Sequence, residues 1–86
     1  MTNREICLKA AQRLREVGWR QGAIGPEDGP HCMLGACRWV TRYHVAAAGE
    51  AAYAAAYAAA GEAAIAWNDT PGRTAEEVIA ALEACP

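Results

Sequence analysis

The stretch Val45-Ala46-Ala47-Ala48-Gly49-Glu50-Ala51-Ala52-Tyr53-Ala54-Ala55-Ala56-Tyr57-Ala58-Ala59-Ala60-Gly61-Glu62-Ala63-Ala64-Ile65-Ala66 sets the fold class. Alanine has the highest intrinsic helix propensity, so the spacing predicts a long helix, with Gly61 as a candidate break. Ala46–Ala52 (AAAGEAA) recurs as Ala58–Ala64, a single direct repeat too short to imply a solenoid. Tyr53 and Tyr57 stand four apart, on one helical face. Glu50, Glu62 and the weak hydrophobicity of alanine argue against a membrane span.

Downstream the chain changes character. Trp67-Asn68-Asp69-Thr70-Pro71-Gly72-Arg73 combines an aromatic, short polar side chains and a turn. Pro71 keeps Thr70 out of the helical region, and Pro and Gly sit where a type II turn wants them. Thr74 and Glu77 then have capping-box spacing, so the last helix starts at Thr74 and buries Ala75, Val78, Ile79 and Leu82. Arg73 could pair with Asp69 across the turn.

Upstream, Thr2 and Glu5 have the same capping spacing, and the first helix should run from Asn3 to Val17. Ile6, Cys7, Ala10, Leu14 and Val17 form its apolar stripe. Gly18 would close it in a left-handed conformation, with Trp19 packed on Leu14. Residues 19–30 hold Gly22, Gly25-Pro26, Asp28-Gly29 and Pro30, the composition of a long loop. The second helix is expected from about His31 to His44, with Met33, Ala36, Cys37, Val40 and His44 on one face. Gly35 inside it implies a close approach by another part of the chain, Trp19 or a neighbouring helix.

Together these elements predict one all-α domain over residues 1–86, of about four helices, with a long Gly/Pro-rich loop between helices 1 and 2. Eighty-six residues make only a modest core, and much of the apolar composition is alanine. Dimerisation would be a natural supplement. Residues 1–44 carry seven Lys/Arg against four Asp/Glu, and residues 45–86 one against six, giving +3 and −5 and a net charge of −2. That balance argues against nucleic-acid binding, which would have to use Arg13, Arg15, Arg38 and Arg42. Met1 to Arg15 is charged throughout and shows no secretory leader, so a cytoplasmic protein with its four cysteines as free thiols is expected.

Candidate chemistry is sparse. Cys32 is expected in the first turn of helix 2, where the dipole lowers a thiol pKa; with His44 and Asn68 or Asp69 it makes a thiol enzyme or redox sensor one reading. Against it, His44 is twelve residues along the same helix, about 18 Å away. Cys32 and Cys37 face different ways, no C-x-x-C pair exists, and neither a metal nor a cofactor is implied. The densest polar specification lies in the two Trp-anchored loops. Trp19, Gln21 and Asp28 on one side, and Trp67, Asn68, Asp69 and Arg73 on the other, either fix the loops or form a recognition site where the loops meet.

The pattern Trp19-x-Gln21-Gly22, Asp28-Gly29, Cys32-x-x-Gly35-Ala36, Trp67-Asn68-Asp69 and Arg73-Thr74-Ala75-Glu76-Glu77-Val78 resembles a family of small uncharacterised proteins of actinobacteria and their phages. The resemblance implies an origin and no activity. The reading that follows is a non-enzymatic accessory or regulatory protein that binds another protein, in the host cytoplasm if phage-encoded. A Cys32-centred thiol protein and a weak nucleic-acid-binding regulator are the alternatives.

Overall fold

The computed structural model describes all 86 residues. It contains five helices: α1 (Asn3–Val17), α2 (Met33–Val40), α3 (Val45–Ala60), α4 (Ala64–Asn68) and α5 (Ala75–Glu83). There is no strand, only an isolated parallel bridge between Trp19 and His31. No helix is long and apolar enough to cross a membrane.

Both capping boxes form. Thr2 and Glu5 close the start of α1, and Thr74 and Glu77 close that of α5, each supplying partners for backbone N–H groups that the helix itself cannot satisfy. α1 packs against α2, α3 and α5, and α2 bridges to α3 and α4. The core holds nineteen apolar residues, ten of them alanine: three from α1 and α2, five from α3, one each from α4 and α5. Alanine on both sides of a contact lets helix axes approach closely. The bulk comes from Ile6, Leu14, Met33, Trp67, Val78 and Leu82, with Cys7, Cys37 and Cys85 filling gaps between α1, α2 and the end of α5. All three of these cysteines are free and fully buried. The Cys7 thiol donates to the Ala51 carbonyl at 3.3 Å, and the neighbouring Cys37 thiol, followed by burial, raises its pKa.

The predicted long helix over 45–66 divides at Gly61, which sits in the left-handed region at φ 70° and ends α3. The structure thus has five helices where about four were expected. Glycine plays two roles in the repeat: Gly61 is a C-cap, while Gly49 lies within α3.

Helix 2 is shorter than predicted at both ends. At its start, Cys32 is the N-cap, its Sγ accepting from the Gly35 N–H at 3.3 Å, and His31 lies outside. At its end, Thr41 is the C-cap, and the Arg42 and Tyr43 N–H groups donate back to the Trp39 and Arg38 carbonyls. This is the hydrogen-bond pattern of a Schellman closure, which wants a left-handed residue. Arg42 and Tyr43 supply it at φ 54° and 65°, although neither is glycine. His44 therefore does not continue helix 2; its Nδ1 accepts from the Ala47 N–H and caps α3. A left-handed non-glycine residue costs about 1 kcal/mol or more. Arg42→Gly should accordingly stabilise the domain by about 1 kcal/mol, raising Tm by roughly 4–8 °C. An unchanged or lowered Tm in a calorimetric scan would mean that the arginine side chain makes up for its backbone.

The closure of α1 also differs from expectation. Gly18 has a positive φ, but its ψ of 164° is extended and not left-handed helical. The chain turns outward there, and Trp19 pairs by backbone with His31. The Gly35 approach is real, but its source is the Ile24 carbonyl of the connecting segment, not Trp19 or a helix.

Candidate functional site

The two Trp-anchored loops meet, and Asn68 is where they meet. It is the last residue of α4 and 1% exposed. Its Oδ1 accepts from Trp19 Nε1 at 2.7 Å and from the Met33 backbone N–H at 2.9 Å. Its Nδ2 donates to the Arg20 carbonyl at 3.1 Å and to Asp69 Oδ1 at 3.0 Å. Both amide hydrogens and two lone pairs of the carbonyl are thus engaged, leaving the side chain nothing for an external ligand.

The surrounding polar groups are tied in only in part, and Gln21 Oε1 and Asp69 Oδ2 face solvent without a partner in the chain. Gln21 Nε2 donates to the carbonyls of Asn68 and Thr70, and Asp69 Oδ1 also accepts from the Gly22 N–H. That N–H, followed by the Asn68 amide, holds the exposed Asp69 carboxyl below its ordinary pKa. Arg73 does not pair with Asp69. Its Nε donates to the Trp67 carbonyl, its guanidinium lies 4.2 Å from the centre of the Trp67 ring, and its far end meets Glu77 at 3.1 Å. The predicted set therefore comes together around Trp19, Gln21, Trp67, Asn68, Asp69 and Arg73. Asp28 stands apart, exposed and without a side-chain hydrogen bond in the loop below His31. Physically, the cluster is a latch that ties the α1–α2 segment to the end of α4.

Cys32 is 5% exposed. Burial pushes its thiol pKa up, against the hydrogen bonds from Gly35 and Leu34. Neither histidine hydrogen-bonds its thiol. His44 caps α3, and His31 Nε2 accepts from Arg13 Nε at 3.2 Å. No three His, Cys, Asp or Glu side chains converge to hold a metal ion. Of the arginines of the nucleic-acid alternative, Arg13 holds His31 and the Glu27 carbonyl and stacks on Trp39 at 3.9 Å, and Arg15 pairs with Glu83 at 2.8 Å; Arg38 is half-buried and Arg42 exposed, neither with a side-chain partner.

The buried His31 gives a pH signature. Burial first, then the Arg13 charge, lowers its pKa from the ordinary 6.5, with Asp28 opposing. The unfolded chain therefore takes up this proton before the folded one does. Stability is fully present above pH 6.5 and falls as pH drops from there through the folded-state pKa. The carboxylates with displaced pKa values lie below their ordinary values and titrate lower still. Urea unfolding between pH 7.5 and 5 should show this decline, and His31→Gln should flatten it; an equal slope in the variant would assign it elsewhere.

A different surface stays open. Leu34, Gly49, Ala52, Tyr53, Ala63, Ala64 and Ile65 line a groove of about 230 Å³ between α3 and α4. Ile65 also walls an adjoining cavity of about 160 Å³, with Gly22, Ala23, Ile24, Cys32 and Asp69. The Tyr53 and Tyr57 rings stack 5.4 Å apart beside it. The Tyr53–Tyr57 spacing was visible in the sequence. Ile65 was not separable from core, since the break at Gly61 rotates α4 and turns Ile65 outward while burying Ala64, Trp67 and Asn68.

Residues 1–85 match the family of unknown function DUF6197. The chain belongs to DUF6197. The match extends over α1 to α5, so the latch and the groove both lie within the part of the chain that defines its membership. No curated protein and no solved structure matches the chain.

Proposed function

We propose that this chain is a non-enzymatic accessory or regulatory protein that acts by binding another protein, through the apolar groove between α3 and α4. One observation carries the reading. The core is built largely from alanine, yet Tyr53, Tyr57 and Ile65 are 52%, 56% and 54% exposed on adjoining parts of one face. A small domain short of large core side chains gains stability by burying them. Grouped outside around a concavity, they fit a binding surface better than they fit a monomer's solvent face.

The latch supports the same division of labour, because Asn68 is satisfied within the chain and positions α4, which turns Ile65 outward. The resemblance to actinobacterial and phage proteins says where to look for the partner: a bacterial cytoplasm, with a phage-encoded copy acting on a host component. Tagged chain incubated with an actinobacterial lysate should retain one dominant protein. Leu8→Ser, at an exposed apolar residue of α1 outside the groove, should retain it equally. Ile65→Glu should retain at least tenfold less while keeping the wild-type circular dichroism. Equal capture by all three chains, or none by the wild type, would overturn the proposal.

A further inference from the structure

The groove also carries information about what fills it. We infer that its occupant is a cationic amphipathic helix of another protein, laid across α3 at Gly49 between Tyr53 and Ile65; this rests on the protein-binding reading above.

Charge gives the sign. Residues 45–72, which form α3, α4 and their connections, contain Glu50, Glu62 and Asp69 and no Lys or Arg, a charge of −3. All three acids are exposed. Neither the groove nor the adjoining cavity has a basic residue in its lining. A partner that presents an apolar stripe flanked by Lys or Arg would meet apolar surface in the groove and opposite charge on the segments that form it. A second copy would not: a twofold interface sets the same patch against itself, bringing three negative charges up to three negative charges.

Gly49 gives the geometry. Glycine within a helix costs stability relative to alanine, so it calls for a reason. Gly35 has one inside the chain, the Ile24 carbonyl, and Gly61 has one in its left-handed φ. Gly49 has neither: a methyl group added there meets nothing within 4 Å. It lines the groove, and the missing side chain leaves room for a partner backbone to come close. The floor of Ala52, Ala63 and Ala64 continues that flat approach, and Tyr53 and Ile65 stand as walls.

The probes are two labelled synthetic helices of about 16 residues, sharing one Leu/Ala stripe and flanked in one case by Lys, in the other by Glu. Fluorescence anisotropy against the full chain should show the Lys helix binding at least tenfold tighter, with the difference shrinking as salt is raised. Gly49→Ala should raise Tm by roughly 2–8 °C and weaken the Lys helix at least fivefold, a gain in fold with a loss in binding. Ile65→Glu should abolish binding at the apolar wall. Equal affinity for the two helices, preference for the Glu helix, or an affinity unmoved by Gly49→Ala would overturn the inference. So would self-association of the chain that Ile65→Glu removes, which would make the occupant a second copy. If neither helix binds while lysate capture still depends on Ile65, the partner chemistry is wrong and the binding reading stands; if that capture fails as well, both fall.

Discussion

Asn68→Ala is expected to cost about 3–5 kcal/mol, enough to unfold much of the population. Truncation strands the Trp19 indole N–H, the Met33 backbone N–H and the Arg20 carbonyl in a part of the fold where Asn68 itself is 1% exposed. Each buried polar group left without a partner costs about 1–3 kcal/mol, and neighbouring losses add incompletely. Met33 is the first residue of α2, so its N–H has no partner within the helix to fall back on. Native domains hold about 0.05–0.15 kcal/mol per residue, or about 4–13 kcal/mol for 86 residues, so one side chain is set against much of the total. Asn68→Asp separates packing from hydrogen bonding. The carboxylate keeps both acceptor contacts, loses the donation to Arg20, and places a second anion beside Asp69. It should be nearly as damaging at pH 7 and partly recover as the pH is lowered towards carboxyl protonation. Gln21→Ala, at an exposed member of the same cluster, should cost under about 1 kcal/mol. Urea denaturation orders the three variants, and an Asn68→Ala cost no larger than that of Gln21→Ala would remove Asn68 from the centre of the fold.

Gly35→Ala is expected to destabilise by about 2–3 kcal/mol, against the direction of helix propensity. Alanine in a helix gains about 1 kcal/mol over glycine. Here the new methyl would run into the Ile24 carbonyl oxygen and press on Ile24 Cγ2 at 3.0 Å. That carbonyl cannot swing aside freely, since it accepts from the Cys32 N–H at 3.3 Å and so helps seat the N-cap of α2. Overpacking against backbone costs about 1–3 kcal/mol and occasionally more. The opposite outcome is expected at Gly49, where the space is open and only propensity acts. Thermal melts of the two Gly→Ala variants should therefore move in opposite directions. A stabilised Gly35→Ala would mean that the Gly22–Ile24 segment does not rest on α2.

The termini were legible in the sequence because their signals are local. Thr2 with Glu5 and Thr74 with Glu77 each specify a helix start within four residues, and both form as the spacing implies. Gly61 was legible as a break for the same reason. Helix 2 was not, because its boundaries are set by residues with no such preference. Cys32 caps with a thiol, and Arg42 and Tyr43 take left-handed backbone without being glycine. The start of helix 2 is seated by the Asn68 side chain and the Ile24 carbonyl, while its end closes on its own helix carbonyls. Trp19, Gln21, Asn68 and Asp69 could be picked out by their density of polar and aromatic character, but the sequence does not say whether such a cluster faces a ligand or itself. Only the pairing of Trp19 Nε1 with Asn68 Oδ1, forty-nine positions apart, gives the orientation. Asp28 belonged to the same composition and stays outside because the loop carries it away from the latch. The exposure of Ile65 was hidden for a related reason: its face depends on the direction α4 takes after Gly61.

The Trp19–Asn68 cluster is closed around Asn68, and the proposed recognition surface lies elsewhere, on the α3–α4 groove. Hydrogen exchange of the tryptophan indole N–H groups, followed by NMR in the free protein, reads this closure. Trp39 is 37% exposed and serves as the internal reference. The Trp19 indole, bonded to a buried Asn68 at 2.7 Å, should exchange only through global unfolding, with a protection free energy that matches the value from urea denaturation. Exchange of the Trp19 indole as fast as that of Trp39 would mean that the latch opens in the native state and leaves Trp19, Asn68 and Asp69 free to meet a ligand.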